Sequence, residues 1–337
     1  MAQALVILNY NGISPLEKYL PSVLEYSPNW DIYVADNAST DASLDFLKTK
    51  FPQIKRIELR QNFGFAAGYN EALKTIEGQY DFYFILNSDV RLSPNWDTPL
   101  LEFLAAYPET AAVQPKVLAD RQPTHFEHAG AAGGYLDTFY FPFCRGRIMH
   151  VCEADQLQYQ GPQQVTWTSG AAMLIRAQDF HLVGGFDAHF FAHMEEIDLC
   201  LRLAKEGKSF YCIPTAVVWH YGGATLDYDN PRKLYLNFRN SLWMLVKNQQ
   251  RFMLLLLFFR MLLDGIAAIQ FLFKGKPALT WQIFLAHMAL YRHFGRNYRL
   301  RKKSKFKVFK YHGLIIWDFY GKQIKAFSQL NKRKFHS

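Results

Sequence analysis

Apolar runs that stop abruptly in polar residues recur four times within residues 1–89. Residues 4–8 of ALVILNYNG form the first run, which ends in Asn9, Tyr10, Asn11 and Gly12. DIYVADNASTDAS closes a second on Asp36, Asn37, Ser39 and Asp41, where Ser39 or Thr40 can cap the next helix and Asp41 adds charge to its first turn. RIELRQNFGFAAGYNEALK reads as a strand, a loop with Asn62, Gly64 and Gly68, and a helix carrying Asn70. The fourth run, 82–86, meets Asn87, Ser88 and Asp89. Such unbroken runs read as strands covered on both faces. Their alternation with helical stretches over the first 117 residues predicts an α/β fold with a doubly wound parallel sheet.

In such sheets ligands bind outside the carboxyl ends of the strands, so four Asp- and Asn-rich ends should share one rim. Asp36 can accept a hydrogen bond from a pyrimidine N3–H, and the neighbouring Asn groups can read carbonyls or ribose. Glycines at 64 and 68 let backbone approach a ligand closely. The Asn87-Ser88-Asp89 turn is either ordinary turn chemistry or a seat for a hard divalent cation. No GxGxxG or Walker-type loop is present, which argues against a dinucleotide enzyme or a phosphate-cradling NTPase. A diphosphate would then be held by metal and side chains, as in a nucleotide-sugar site.

Farther along, apolar residues recur at helical spacing over 194–205, and Glu195 and Glu196 open that helix where its macrodipole favours negative charge. Asp198 and Arg202, four apart, should pair. An apolar strand over 211–219 places His220 just past its end, as a structural residue or a ligand. Trp167 and the Ser169-Gly170 turn read as strand and tight turn, or as part of a substrate wall.

Seven motifs in order, LNYNG, VADNASTD, NFGFAAGYN, LNSDV, SGAAMLIR, GGFDAHFFAHMEEIDLCLR and VWHYGG, resemble the family 2 glycosyltransferases with the GT-A fold, especially the bacterial rhamnosyltransferase-like branch. The resemblance covers about the first 250 residues. It implies that Asp36 binds the uracil or thymine base and that Asn9, Asn11 and Asn37 line the nucleotide. The loop with Asn62, Gly68 and Asn70 would close over it. Asp89 matches the last acid of the DXD metal motif; Asn87 replaces the first, with Ser88 between. Mg²⁺ or Mn²⁺ would be held by Asp89, His220 and the diphosphate. Glu196 falls at the catalytic base, usually Asp, and Glu195 at the preceding acid, so the base assignment stays open between them. Trp167 and Gly170 resemble the wall of the acceptor and donor-sugar pockets.

Charge divides the chain unevenly. The net +9 combines 22 Lys/Arg and two acids from 231 onward with 16 Lys/Arg and 27 acids before it. A basic second segment points to an anionic partner. Residues 252–273 are about long enough to span a bilayer, but Arg260 and Asp264 interrupt them, each costing roughly 2.5–3.5 kcal/mol at mid-membrane unless they pair. A helix lying in the interface, or one packed in a hairpin with 279–291, is favoured over a span; a buried core helix is the other reading. Basic and aromatic residues interleave over 297–313, which suits anionic lipid, and no nucleic-acid-binding motif accompanies them. The final KRKFHS reads as a solvated or frayed end. Residues 118–165 sustain neither period and read as an excursion over the site, with His125 and His128 in a solvated loop. Residues 1–8 do not read as a signal peptide, and Cys144, Cys152, Cys200 and Cys212 lack CxxC spacing.

The expected organisation is a GT-A catalytic domain, 1–230, followed by a basic, apolar helical appendage, 231–337. The expected function is inverting transfer from a dTDP- or UDP-linked sugar to a glycan or lipid-linked acceptor. The expected location is cytoplasmic, peripheral on the inner membrane face, with no nucleic-acid partner. Rival readings are a catalytically inactive, membrane-docked nucleotide-sugar-binding module and a sugar-phosphate nucleotidyltransferase. The latter's glycine-rich basic first loop is missing after Leu8.

Overall fold

A computed structural model describes residues 1–222 and 230–337. Its first half builds the expected β/α alternation: β1 (Gln3–Asn9), α1 (Ile13–Tyr26), β2 (Asp31–Asp36), α2 (Ser43–Lys50), β3 (Lys55–Glu58), α3 (Gly64–Lys74) and β4 (Phe82–Asn87). β5 (Val90–Leu92), α4 (Thr98–Ala106), β6 (Thr110–Ala119) and β7 (Gln122–Phe126) come next. Then come four short strands, β8 (Gly134–Leu136), β9 (Pro142–Cys144), β10 (Arg147–Ile148) and β11 (Val151–Cys152). The main sheet is completed by β12 (Gln163–Gln164), β13 (Ala172–Arg176) and β14 (Ser209–His220), with α5 (Ala177–Leu182) and α6 (Glu195–Ala204) between the last two.

The main sheet runs β12-β14-β6-β13-β4-β1-β2-β3. β3, β2, β1 and β4 are mutually parallel, while β13 enters antiparallel between β4 and β6. Alternate residues of β1 feed two cores. Ala4 and Val6 pack with α3, α5 and α6, whereas Leu5 and Ile7 pack with α1, α2 and α4. Strand order reverses between β1 and β4, and the crevice there opens at their carboxyl ends.

Three expectations need correction. Residues 118–165 are not an irregular excursion: β8–β11 form a four-stranded antiparallel sheet, in strands of two or three residues that are too short to display a period of two. His125 and His128 are not in a solvated loop: His125 lies on β7 and both side chains are half-buried, burial pulling the His128 imidazole down to about 3. The C-terminal end is not frayed, because β15 (Lys310–Tyr311) pairs with β16 (Phe335–His336) and Phe335 packs on Tyr135.

After residue 230 come α7 (Pro231–Asn248), α8 (Met253–Phe273) and α9 (Pro277–Arg299). α7 is stitched into the catalytic unit. Lys247, buried, bonds Asp187 at 2.6 Å and Asp198 at 2.9 Å, and Asp198 also pairs with Arg202 at 2.8 Å. α8 and α9 form a hairpin in which Thr280 Oγ1 donates to Ala268 O. α8 is long and apolar enough to cross a membrane. Its buried stripe is Met253, Leu257, Arg260 and Asp264. Arg260 pairs with Asp264 at 2.9 Å and also donates to Phe139 O, which fastens the helix to the globular body. The opposite face presents Leu254, Phe258, Leu262, Ile266 and Ile269, each at least half exposed.

Candidate active site

The rim forms because parallel register aligns the strand ends: Asn9 lies beside Asp36, and Leu8 beside Asn87. Asp36, 1 % exposed, accepts from Asn9 Nδ2 at 3.1 Å and from Ser39 N at 2.8 Å, leaving a lone pair free on each oxygen. Asn11, at positive φ, clasps the same loop by accepting from Thr40 N at 2.7 Å. Asn37 spends its amide on the glycine loop, donating to Asn62 Oδ1 and Gly64 O and accepting from Phe63 N.

Two of the residues singled out in this loop have packing and backbone partners of their own. Asn70 donates to Phe186 O at 2.7 Å and accepts from Phe186 N at 2.9 Å, which ties α3 to the backbone of a neighbouring loop. Gly68 is needed for packing: a Cβ there would lie 2.9 Å from Leu8 Cδ2 and 3.1 Å from Asn37 Nδ2. Trp167 likewise lies inside the wall, its ring against Gly134 and its indole N–H donating to Tyr135 O.

On the other side of β1, Asp89 and His220 converge. His220 Nε2 lies 3.1 Å from Asp89 Oδ1 and 3.4 Å from Asn87 Nδ2, while Nδ1 faces Glu127 Oε2 at 3.5 Å. Burial alone would lower the imidazole pKa, but Asp89 and Glu127 outweigh it and raise it to about 10. Glu127, held down to about 2 against its own burial by His220 and the Ala129 N–H, is not among the residues the sequence singles out. It sits in a chain segment without period, and no local pattern links it to His220. A carboxylate on Nδ1 orients the ring so that Nε2 faces the rim, the arrangement found behind metal-bound histidines. Among the described residues no three His, Cys, Asp or Glu side chains form a ready-made metal cage. Asp89 and His220 could hold a cation only as a pair, with His220 giving up the proton that Asp89 and Glu127 favour. Ser88 lies at the same turn, its Oγ 3.9 Å from where a Gly12 Cβ would stand.

The carboxylate pair arrives on a contorted loop. Phe191, His193 and Met194 all have positive φ, uncommon for such residues and concentrated at functional sites. Phe191 O caps α3 by accepting from Phe65 N and Ala66 N. α7 clamps the loop through Asn240 Nδ2, which donates to Phe190 O, Ala192 O and His193 O at 2.7–3.0 Å. Glu195 and Glu196 then open α6, each with a buried carboxylate oxygen lacking a partner. Burial, with Glu196 beside it, pushes Glu195 well up; burial raises Glu196 to about 7. Gly170 lies against this pair, since a Cβ there would stand in ordinary contact, 3.6 Å from both Glu196 Cβ and Phe65 Cζ. The last glycine of VWHYGG, Gly223, lies outside the described residues.

A mostly parallel sheet that gathers Asp36, the Asp89–His220 pair and Glu196 at its carboxyl edge has a GT-A-like architecture. Residues 4–180 match the glycosyl transferase family 2 model, and the chain belongs to that family. It is 24 % identical over 229 residues to an N-acetylglucosaminyl-diphospho-decaprenol L-rhamnosyltransferase of Mycobacterium tuberculosis, covering 64 % of this chain and 75 % of the relative. The fold matches GalNAc-T7 solved with UDP, GalNAc and Mn²⁺ at TM-score 0.58 and 13 % identity, covering 89 % of this chain but 58 % of that one. It also matches a Pyrobaculum calidifontis mannosyltransferase solved with GDP-Man and Mn²⁺ at TM-score 0.53 and 14 % identity, over 86 % of each chain.

Proposed function

We propose that this glycosyltransferase moves a sugar, with inversion, from a pyrimidine nucleotide-sugar to a hydroxyl of a lipid-linked or cell-envelope glycan. dTDP-rhamnose is the first donor to try and UDP-hexoses the second; the relative's rhamnosyl activity on a diphospho-decaprenol substrate motivates both donor and acceptor. The observation that carries the reading is the Glu196 carboxylate, whose buried Oε2 has no partner and whose pKa burial raises to about 7, suited to a general base at neutral pH. Glu196 takes the acceptor proton as the oxygen attacks the anomeric carbon. The anomeric C–O bond on the opposite face breaks, and its electrons leave with the nucleoside diphosphate. Asp36 holds the base of the nucleotide. A Mg²⁺ or Mn²⁺ on Asp89 and His220 would supply Lewis-acid compensation for charge growing on the diphosphate.

The outward Leu/Phe/Ile face of α8, with Trp281 and Phe284 of α9, favours docking in the plane of the inner membrane leaflet. Lys and Arg residues over 296–307 would meet anionic headgroups. Calorimetry with UDP and dTDP, each with Mn²⁺ and with EDTA, tests the donor site. Metal-dependent binding of either is expected, and folded protein that binds neither would sink the reading. Asn87, an amide where the DXD motif has its first acid, favours one rival, an inactive nucleotide-sugar-binding module. Turnover on adding a prenyl-diphosphate-linked sugar acceptor separates the two.

A further inference from the structure

Between α7 and α9 lies a cavity of about 330 Å³, lined by Tyr235, Leu285, Met288, Ala289, Arg292 and His293. It also touches Gln282, so it runs along one face of α9 from Gln282 to His293, about 16 Å at the helical rise. Its middle is apolar, and Met288, 40 % exposed, belongs also to the apolar surface of the hairpin. Its far end is cationic. His293 faces Arg292, Arg296, Arg239 and His189, which together with burial hold its pKa below the ordinary value. Arg239 stacks over Tyr235 and Trp243, whose ring lies 5.1 Å from His293.

Among the described residues no carboxylate lines the cavity. Asp187, at the base of the cationic end, is already engaged by Lys247, Arg296 and His189. The two acids of 231–337, Asp264 and Asp318, are buried in pairs with Arg260 and Lys322. A groove that is apolar along its length and cationic at one end fits an amphiphilic anion. The cationic end also points toward the chemistry. Arg232, one turn before Tyr235 on α7, lies over the Phe191 ring at 5.0 Å, and that residue belongs to the loop that delivers Glu195 and Glu196.

We infer that this groove seats the prenyl diphosphate of the acceptor: the isoprenoid chain runs along α9 from the membrane-facing surface, and the diphosphate rests at Arg292 and His293. The inference rests on the reading of the acceptor as lipid-linked. It assigns α7 and α9 a recognition role that the nucleotide-binding half of the molecule does not supply.

The test is direct binding of farnesyl diphosphate to the full chain, beside inorganic diphosphate and anionic phosphatidylglycerol vesicles. Both probe positions, Arg292 and Met288, are exposed, so Arg292→Glu and Met288→Asp should fold, as circular dichroism would verify. Saturable one-to-one binding is expected, with the prenyl chain adding to the affinity of inorganic diphosphate. Each substitution should weaken it at least about tenfold, the scale of one lost charge-assisted or apolar contact, while nucleotide binding stays unchanged. Farnesyl diphosphate that binds no better than inorganic diphosphate, or that is indifferent to both substitutions, overturns the assignment. So does an effect of the substitutions on vesicle binding alone. Groove binding accompanied by transfer to soluble glycosides only would defeat the acceptor reading instead. Efficient transfer to a prenyl-linked acceptor by both variants would defeat the groove and leave that reading intact.

Discussion

Replacing Glu196 with Gln should silence the enzyme and stabilise it in the same stroke. The carboxyl is buried, and its pKa is raised from 4.5 to about 7. At 1.36 kcal/mol per pH unit, ionising it in the folded state costs about 3 kcal/mol of stability. The sign comes from proton binding. Between about pH 4.5 and pH 7 the unfolded chain has released this proton and the folded chain has not, so stability falls as pH rises and levels off above 7. Glu196→Gln removes that slope. In urea titrations at pH 8 the variant should exceed the parent by up to about 3 kcal/mol, with the advantage vanishing near pH 4. Transfer should drop by about 10²–10⁴-fold with donor binding intact. Parent activity should rise about tenfold from pH 6 to the plateau above pH 7, in step with the carboxylate fraction of a group near 7. Transfer retained within tenfold by Glu196→Gln would refute the assignment. A dead Glu195→Gln beside an active Glu196→Gln would move the base one residue earlier.

Asp89→Ala should abolish metal-dependent nucleotide binding with the far-ultraviolet spectrum unchanged; binding that is equal with Mn²⁺ and EDTA in the parent would remove the cation from the scheme. Glu127→Gln should weaken Mn²⁺ by about 10–100-fold by leaving His220 unoriented, read by electron paramagnetic resonance of free Mn²⁺ and by the imidazole nitrogen shifts. Lys247→Ala removes a buried cation shared by Asp198 and Asp187, which keep Arg202 and Arg296, and should cost about 1.5–3 kcal/mol in urea unfolding, whereas an exposed pair such as Lys48–Glu58 should cost under about 1 kcal/mol. Phe258→Asp on the outer face of α8 should release the protein from anionic vesicles in sedimentation without loss of nucleotide binding.

The polar rim of the sheet was readable from the chain because each part is local. A buried parallel strand is an unbroken apolar run, and the polar residues after it must lie at the carboxyl edge, so Asn9, Asp36 and Asp89 could be placed on one rim from pattern alone. The adjacent acids at 195 and 196 were visible for the same reason. What those residues do was decided by folding. Asn37, Gly68 and Asn70 carry the same polar or small signature as the residues facing the crevice, yet their partners lie on other elements and absorb them. Glu127 meets His220 across 93 positions of sequence, and Lys247 meets Asp198 across 49. Pairings at such separations leave no periodic trace. The burial that lifts Glu196 toward neutrality likewise comes from the packing around the α6 N-terminus, and no spacing within the motif encodes it. The direction in which α8 faces was also a tertiary decision. Composition marked Arg260 and Asp264 as interruptions, but only their contact with each other and with the Phe139 carbonyl turned them inward and left an apolar outward face from Leu254 to Ile269.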